Sequence, residues 1–90
     1  MAGFLSRFFG LEDGAILLDV RTKEEYKQGA ATHSINISLD SLSSNLSKLQ
    51  KDKPIIAVCA SGMRSRSAVT FLRNKGFQEV YNGGGWFNFK

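Results

Sequence analysis

Ninety residues with 42% hydrophobic and 22% charged side chains fit one globular domain, of a size that buries somewhat over ~60% of the surface its unfolded chain exposes. Twelve Lys and Arg against eight Asp and Glu give a net charge of +4, which favours anions. The bases are scattered apart from Arg64-Ser65-Arg66, a pattern that suits a small anionic ligand and argues against nucleic acid. A single cysteine excludes an internal disulfide and a CxxC redox pair, and one cysteine with one histidine argues against a protein-built zinc site. The lone thiol agrees with a reducing, cytoplasmic setting, and no apolar run approaches the ~20 residues that span a bilayer. Residues 1–90 read as a single domain with a short N-terminal segment, 1–13.

In that segment Phe4, Leu5, Phe8 and Phe9 fall on one helical face. This predicts a short helix covering a sheet, with contact to a membrane surface as the weaker alternative. Ala15 to Val20 is a near-continuous apolar run, the pattern of a parallel strand buried on both faces. Asp19-Val20-Arg21 places charges at its carboxyl end, the side where open α/β sheets take their ligands. Thr22-Lys23-Glu24-Glu25 reads as a capping box that opens a helix to about Gln28, stopped by Gly29. His33 falls in the loop that follows and reads as a solvated residue. Ile35-Asn36-Ile37 is a short β-branched strand. Asp40 or Ser41 is expected to cap a helix in which Leu42, Leu46 and Leu49 recur at helical spacing. Lys53-Pro54 ends that element, and Ile55 to Val58 forms the next strand. Ala68, Val69, Phe71 and Leu72 supply the apolar face of a helix from about Ser65 to Lys75, closed by Gly76. Glu79-Val80-Tyr81 is the last strand, and Asn82 to Phe87 reads as a glycine-rich tail carrying two large aromatics. Strands alternating with helices build a parallel sheet.

Cys59-Ala60-Ser61-Gly62-Met63-Arg64-Ser65 joins a strand end to a helix start. The first N–H groups of a helix lack intrahelical partners and its dipole presents partial positive charge, so an anion such as a thiolate is favoured there. A free thiol of pKa ~8.5 is only about 3% ionised at pH 7, and converging amides with Arg64 would raise that fraction. An inert, buried cysteine at a strand end is an equally open reading of these residue types alone. For Arg66 a surface cation is expected.

Several stretches together resemble the rhodanese (sulfurtransferase) family: Leu18-Asp19-Val20-Arg21 followed by Glu25-Tyr26 and Gly29, then Ile35-Asn36-Ile37, the Cys59 to Ser65 loop, and Gly84-Gly85 with Trp86. They occur in the family's order with compatible spacing from about Gly14 to Trp86. The resemblance implies an α/β, rhodanese-like fold with a central parallel β-sheet of four to five strands and helices on both faces. It implies Cys59 as the nucleophile of a sulfurtransferase, with Ala60, Ser61, Gly62, Met63, Arg64 and Ser65 wrapped around the bound sulfur. Asp19, Arg21 and Trp86 are expected to hold the site's surroundings rather than touch substrate. The expected reaction takes a sulfane sulfur from thiosulfate or a similar anionic donor through a Cys59 persulfide to cyanide, a thiol or a protein acceptor, with no cofactor, in a monomer.

Two features depart from the family pattern. Ala30-Ala31-Thr32 stands where a Gly-His pair is common, and the segment before Gly14 is short for an opening strand and helix, so the family's first strand is expected to be missing or displaced. A persulfide carrier or adaptor acting only with a protein partner is the alternative function. A cysteine-dependent phosphatase is a lesser one, because its loop spacing is C-x5-R whereas Cys59 and Arg64 are spaced C-x4-R.

Overall fold

The two most apolar runs of the chain form the middle of the sheet. In the computed structural model, which describes residues 14–89, β1 (Ile16–Asp19) and β3 (Ile55–Cys59) lie parallel, with Ile16 opposite Ile55 and Asp19 opposite Val58. β2 (Ile35–Asn36) flanks β1 and β4 (Val80–Gly85) flanks β3, giving the all-parallel order β2-β1-β3-β4. Every residue of β3 is buried, which is why that strand is apolar throughout instead of alternating. Helix α1 (Lys23–Lys27) follows β1 and helix α2 (Met63–Asn74) follows β3. The protein is therefore α/β. The segment carrying Phe4, Leu5, Phe8 and Phe9 lies outside the described residues, as does any strand before Gly14.

Alternation along the strands sends side chains to two cores. Leu18, Val20, Ala57 and Cys59 point toward α2, where they meet Ala68 and Leu72 together with Leu42 and Leu49. Leu17, Ile56 and Val58 point the other way, onto Ala31 and the partly buried Trp86 and Phe89. Trp86 and Phe89 bound a 3-10 helix that follows β4 directly.

The chain departs from the sequence expectation in two places. Residues 39–48 form two 3-10 helices, Leu39–Ser44 and Leu46–Lys48, instead of one α-helix, and the first is entered from Ser38 rather than Asp40 or Ser41. Serine and asparagine side chains compete for backbone groups and weaken an α-helix; here Asn45 Nδ2 donates to the Ser41 carbonyl at 2.7 Å. Leu42 and Leu49 are nonetheless buried, so the apolar spacing serves the core without an α-helix. The second departure is β4, which runs on to Gly85 where a loose tail was expected. Asn82 pairs with Ala57 and Gly84 with Val58, leaving Gly83 as the extra residue of a bulge. A Cβ on Gly83 would stand 2.8 Å from Ile56 Cγ2, so only glycine lets β4 approach this closely.

A buried ion pair fixes α1 to the sheet. Arg21 Nε donates to Asp19 Oδ1 at 2.9 Å and Nη2 to Oδ2 at 2.7 Å, and both residues are buried. The same guanidinium donates to the Gly29 carbonyl at 2.7 Å and to the Glu25 carbonyl at 3.4 Å, and stacks 4.5 Å from the centre of the Trp86 ring. Arg21 thus binds the end of β1, the last turn of α1 and the start of the C-terminal 3-10 helix together. Removing one member of a buried pair strands the other charge, which costs about 3–5 kcal/mol. Arg21→Leu is expected to remove most of this small domain's stability, read as a large fall in the urea midpoint; a midpoint near that of the native protein would contradict the assignment.

Candidate active site

Cys59 ends β3 at the carboxyl edge of the sheet, and its sulfur occupies the mouth of α2. The N-cap position of α2 is Gly62, which has no side chain with which to satisfy the first helical donors and sits at φ +98°, a conformation that favours glycine. The Cys59 sulfur takes the role of the missing cap. Gly62 N–H donates to Sγ at 2.9 Å and Ser65 N–H at 3.4 Å, while Ser65 Oγ lies 3.5 Å away. Burial pushes the Cys59 thiol up, but the Ser65 hydroxyl and the N–H groups of Ser65, Gly62 and Ser61 together outweigh it and hold the pKa below the ordinary thiol range. The electrostatic help expected from a helix start is thus present, and it comes from amides and a hydroxyl.

Ser65 is fully buried and is itself held from β4: its Oγ donates to Asn82 Oδ1 at 2.6 Å. Asn82 Oδ1 also accepts from Gly84 N–H at 2.9 Å, and Asn82 Nδ2 donates to the Gly62 carbonyl at 3.0 Å. One amide side chain therefore joins the cysteine loop, α2 and β4. Sequence reading assigned Asn82 to a flexible tail and missed this. The usable signal was a polar residue directly after the β-branched and aromatic pair Val80-Tyr81, at the ligand side of a parallel strand.

Arg64 does not point its guanidinium at the sulfur. Nη1 donates to Glu25 Oε1 at 2.7 Å and Nη2 to Glu25 Oε2 at 3.0 Å, a bidentate pair between the start of α2 and α1. Glu25 is at the same time the predicted half of the capping box: Thr22 N–H donates to Oε1 at 2.9 Å, and Glu25 N–H donates to Thr22 Oγ1 at 3.2 Å. Hydrogen bonding by Arg64, then by the Thr22 N–H, lowers the Glu25 carboxyl to about 2. The same pairing raises the Arg64 pKa. The partnership of Glu25 with Arg64 was not foreseen from sequence, because the capping box already accounted for the glutamate.

The remaining expected site residues separate into two groups. Ala60, Ser61 and Met63 are exposed on the rim of the loop. Asp19 and Arg21 form the buried ion pair at the end of β1, with the partly buried Trp86 stacked on the Arg21 guanidinium. His33 is exposed in its loop at φ +67°. Among the described residues no cluster of His, Cys, Asp and Glu is arranged to hold a metal ion.

A parallel sheet feeding a cysteine into a ring of loop amides defines a class that comparison with known proteins identifies. Residues 10–90 match the rhodanese-like domain family, and the chain belongs to it. It is 34% identical over 76 residues to the thiosulfate sulfurtransferase GlpE of Pseudomonas savastanoi pv. phaseolicola, covering 84% of this chain and 72% of that protein. A rhodanese-related protein from Thermoplasma volcanium superposes with a TM-score of 0.78 at 31% identity, covering 92% of this chain and 86% of that one. Reduced CoADR-RHD of Bacillus anthracis gives a TM-score of 0.78 at 42% identity; the match covers 88% of this chain but 14% of that much longer one. The chain is thus similar to sulfurtransferases in both sequence and fold.

Two substitutions test the geometry around the sulfur. Ser65→Ala removes the hydroxyl that favours the thiolate, so the inflection in the pH dependence of Cys59 alkylation by iodoacetamide is expected to move to higher pH; an unmoved inflection would deny Ser65 that role. Asn82→Ala leaves the Ser65 hydroxyl and the Gly84 N–H without their acceptor, and a loss of about 1–3 kcal/mol is expected in urea unfolding.

Proposed function

We propose that the protein is a sulfurtransferase that moves a sulfane sulfur from thiosulfate or a similar donor to a thiophilic acceptor through a persulfide on Cys59. The observation that supports this most is the position of the sulfur, set at the opening of α2 as acceptor for two main-chain N–H groups and beside the Ser65 hydroxyl. In the first step the Cys59 thiolate attacks the outer sulfur of thiosulfate. The S–S bond of the donor breaks, a new S–S bond forms on Cys59, and sulfite leaves with its electron pair. In the second step cyanide or a thiolate attacks the outer sulfur of the persulfide, and the Cys59 thiolate returns. No net oxidation of the protein occurs over the cycle.

The surrounding groups have separate tasks. Loop amides and the helix start stabilise negative charge on Cys59 and then on its persulfide. Ser65 has one hydroxyl hydrogen, directed to Asn82 Oδ1 at rest, and turning it toward the sulfur supplies a further donor when charge develops there. Ala60, Ser61 and Met63 form the exposed rim past which donor and acceptor reach the buried sulfur. Asp19, Arg21 and Trp86 act at a distance by fixing α1. The similarity to a thiosulfate sulfurtransferase at 34% identity supports the same chemistry.

Incubation with thiosulfate followed by intact-mass measurement is expected to show one added sulfur on the native protein and none on Cys59→Ala. Turnover of thiosulfate and cyanide to thiocyanate distinguishes an enzyme from a carrier. Loading without turnover would favour the carrier, and absence of loading would end the sulfurtransferase reading. Arg64→Ala is expected to raise KM for thiosulfate chiefly, since it leaves the Glu25 carboxylate facing the donor without its partner.

A further inference from the structure

A site that receives thiosulfate brings a dianion to a thiolate, and the group at hand to offset that charge is Arg64. Its guanidinium is already bound at both terminal nitrogens by Glu25, at 2.7 and 3.0 Å. The other arginine near this end of the sheet, Arg21, is consumed by Asp19. Arg66 is exposed, where water and salt screen its charge.

The rim is apolar as well. Met63, the first residue of α2, is 76% exposed, and Phe87 is 54% exposed. Gly85, which pairs with Cys59, lies against both the Phe87 ring and the Ala60 carbonyl, so this aromatic stands beside the cysteine loop. Large apolar groups at the entrance match an organic substituent better than a sulfonate.

From the pairing of Arg64 and the apolar rim we infer that Glu25 is a specificity-determining residue: by occupying Arg64 it disfavours doubly charged inorganic donors and leaves the site better matched to an organic persulfide, R–S–SH. This rests on the sulfurtransferase reading and assigns its donor class. The charge balance explains the preference. Attack on thiosulfate gathers three negative charges on the reacting atoms, which become a persulfide anion and sulfite. Attack of the Cys59 thiolate on the terminal sulfur of R–S–SH breaks the donor S–S bond, forms Cys59–S–SH and releases R–S⁻, with one negative charge throughout. With Arg64 neutralised by Glu25, the added charge of the first process meets no unpaired cation beside the loop, and the second process needs none.

Glu25→Gln is the informative variant because glutamine also completes a capping box, so α1 keeps its start while the charge is lost. The probes are thiosulfate and 2-hydroxyethyl persulfide, whose organic part is uncharged. Sulfur loading of Cys59 is followed by mass for both donors on the same preparation, so a partly unfolded fraction cancels from their ratio. The native protein is expected to load faster from the persulfide, and Glu25→Gln to shift the ratio of the two rates about tenfold toward thiosulfate, with the shift shrinking as salt is added. A ratio that Glu25→Gln leaves unchanged, or a native protein that prefers thiosulfate, would overturn the role of Glu25 while leaving the sulfurtransferase reading intact. Loading from neither donor would instead overturn that reading.

Discussion

A helix must find acceptors for its first N–H groups, and α2 begins without a side-chain oxygen in the capping position. The sulfur at the end of the preceding strand fills that need. This makes the Cys59 sulfur a structural member of the helix start as well as the atom on which the proposed chemistry turns. A thiolate accepts hydrogen bonds far better than a thiol, so the same contacts that order the loop favour the charged sulfur. Ionisation and local folding are therefore coupled at this junction. Gly62 is what permits the coupling, because its left-handed backbone turns both the loop and its own N–H inward.

The second layer of organisation runs through α1. The buried pair of Asp19 and Arg21 ties the end of β1 to the carbonyls of Glu25 and Gly29 and to the face of Trp86. That fixes α1, and α1 carries the carboxylate that holds Arg64. A charge pair at the end of β1 thus fixes the helix from which Glu25 reaches Arg64. Buried polar groups are expensive unless fully partnered, and among the described residues every buried side-chain nitrogen and oxygen has a partner.

The parts of this structure that depend on neighbours in sequence were legible beforehand. The capping box of Thr22 and Glu25, the buried run of β3, the fold class and the strand-to-helix placement of Cys59 all follow from spacing over a few residues. What was not legible depends on contacts between distant segments. Leu42, Leu46 and Leu49 carry helical spacing, yet the serines and Asn45 between them favour 3-10 turns, and burial of Leu42 and Leu49 is satisfied either way. Glycines 83 to 85 look like a flexible tail until β3 is seen beside them. Glu25 and Arg64 are 39 residues apart and meet only because α1 and α2 start at the same edge of the sheet.

The bulge at Gly83 has a consequence for how the chain counts. A strand assigns its side chains to faces by parity, and one additional residue reverses the assignment for everything downstream. Residues up to Asn82 and those from Gly84 onward are therefore read in opposite phase. Asn82 faces Ser65 in the first phase, and Trp86 reaches Arg21 through the second. The run of three glycines works as a frame adjustment, so its length matters as much as its flexibility. Asn82 and Trp86 are four residues apart and would share a face in an unbulged strand; the bulge sends the first toward α2 and the second into the opposite core.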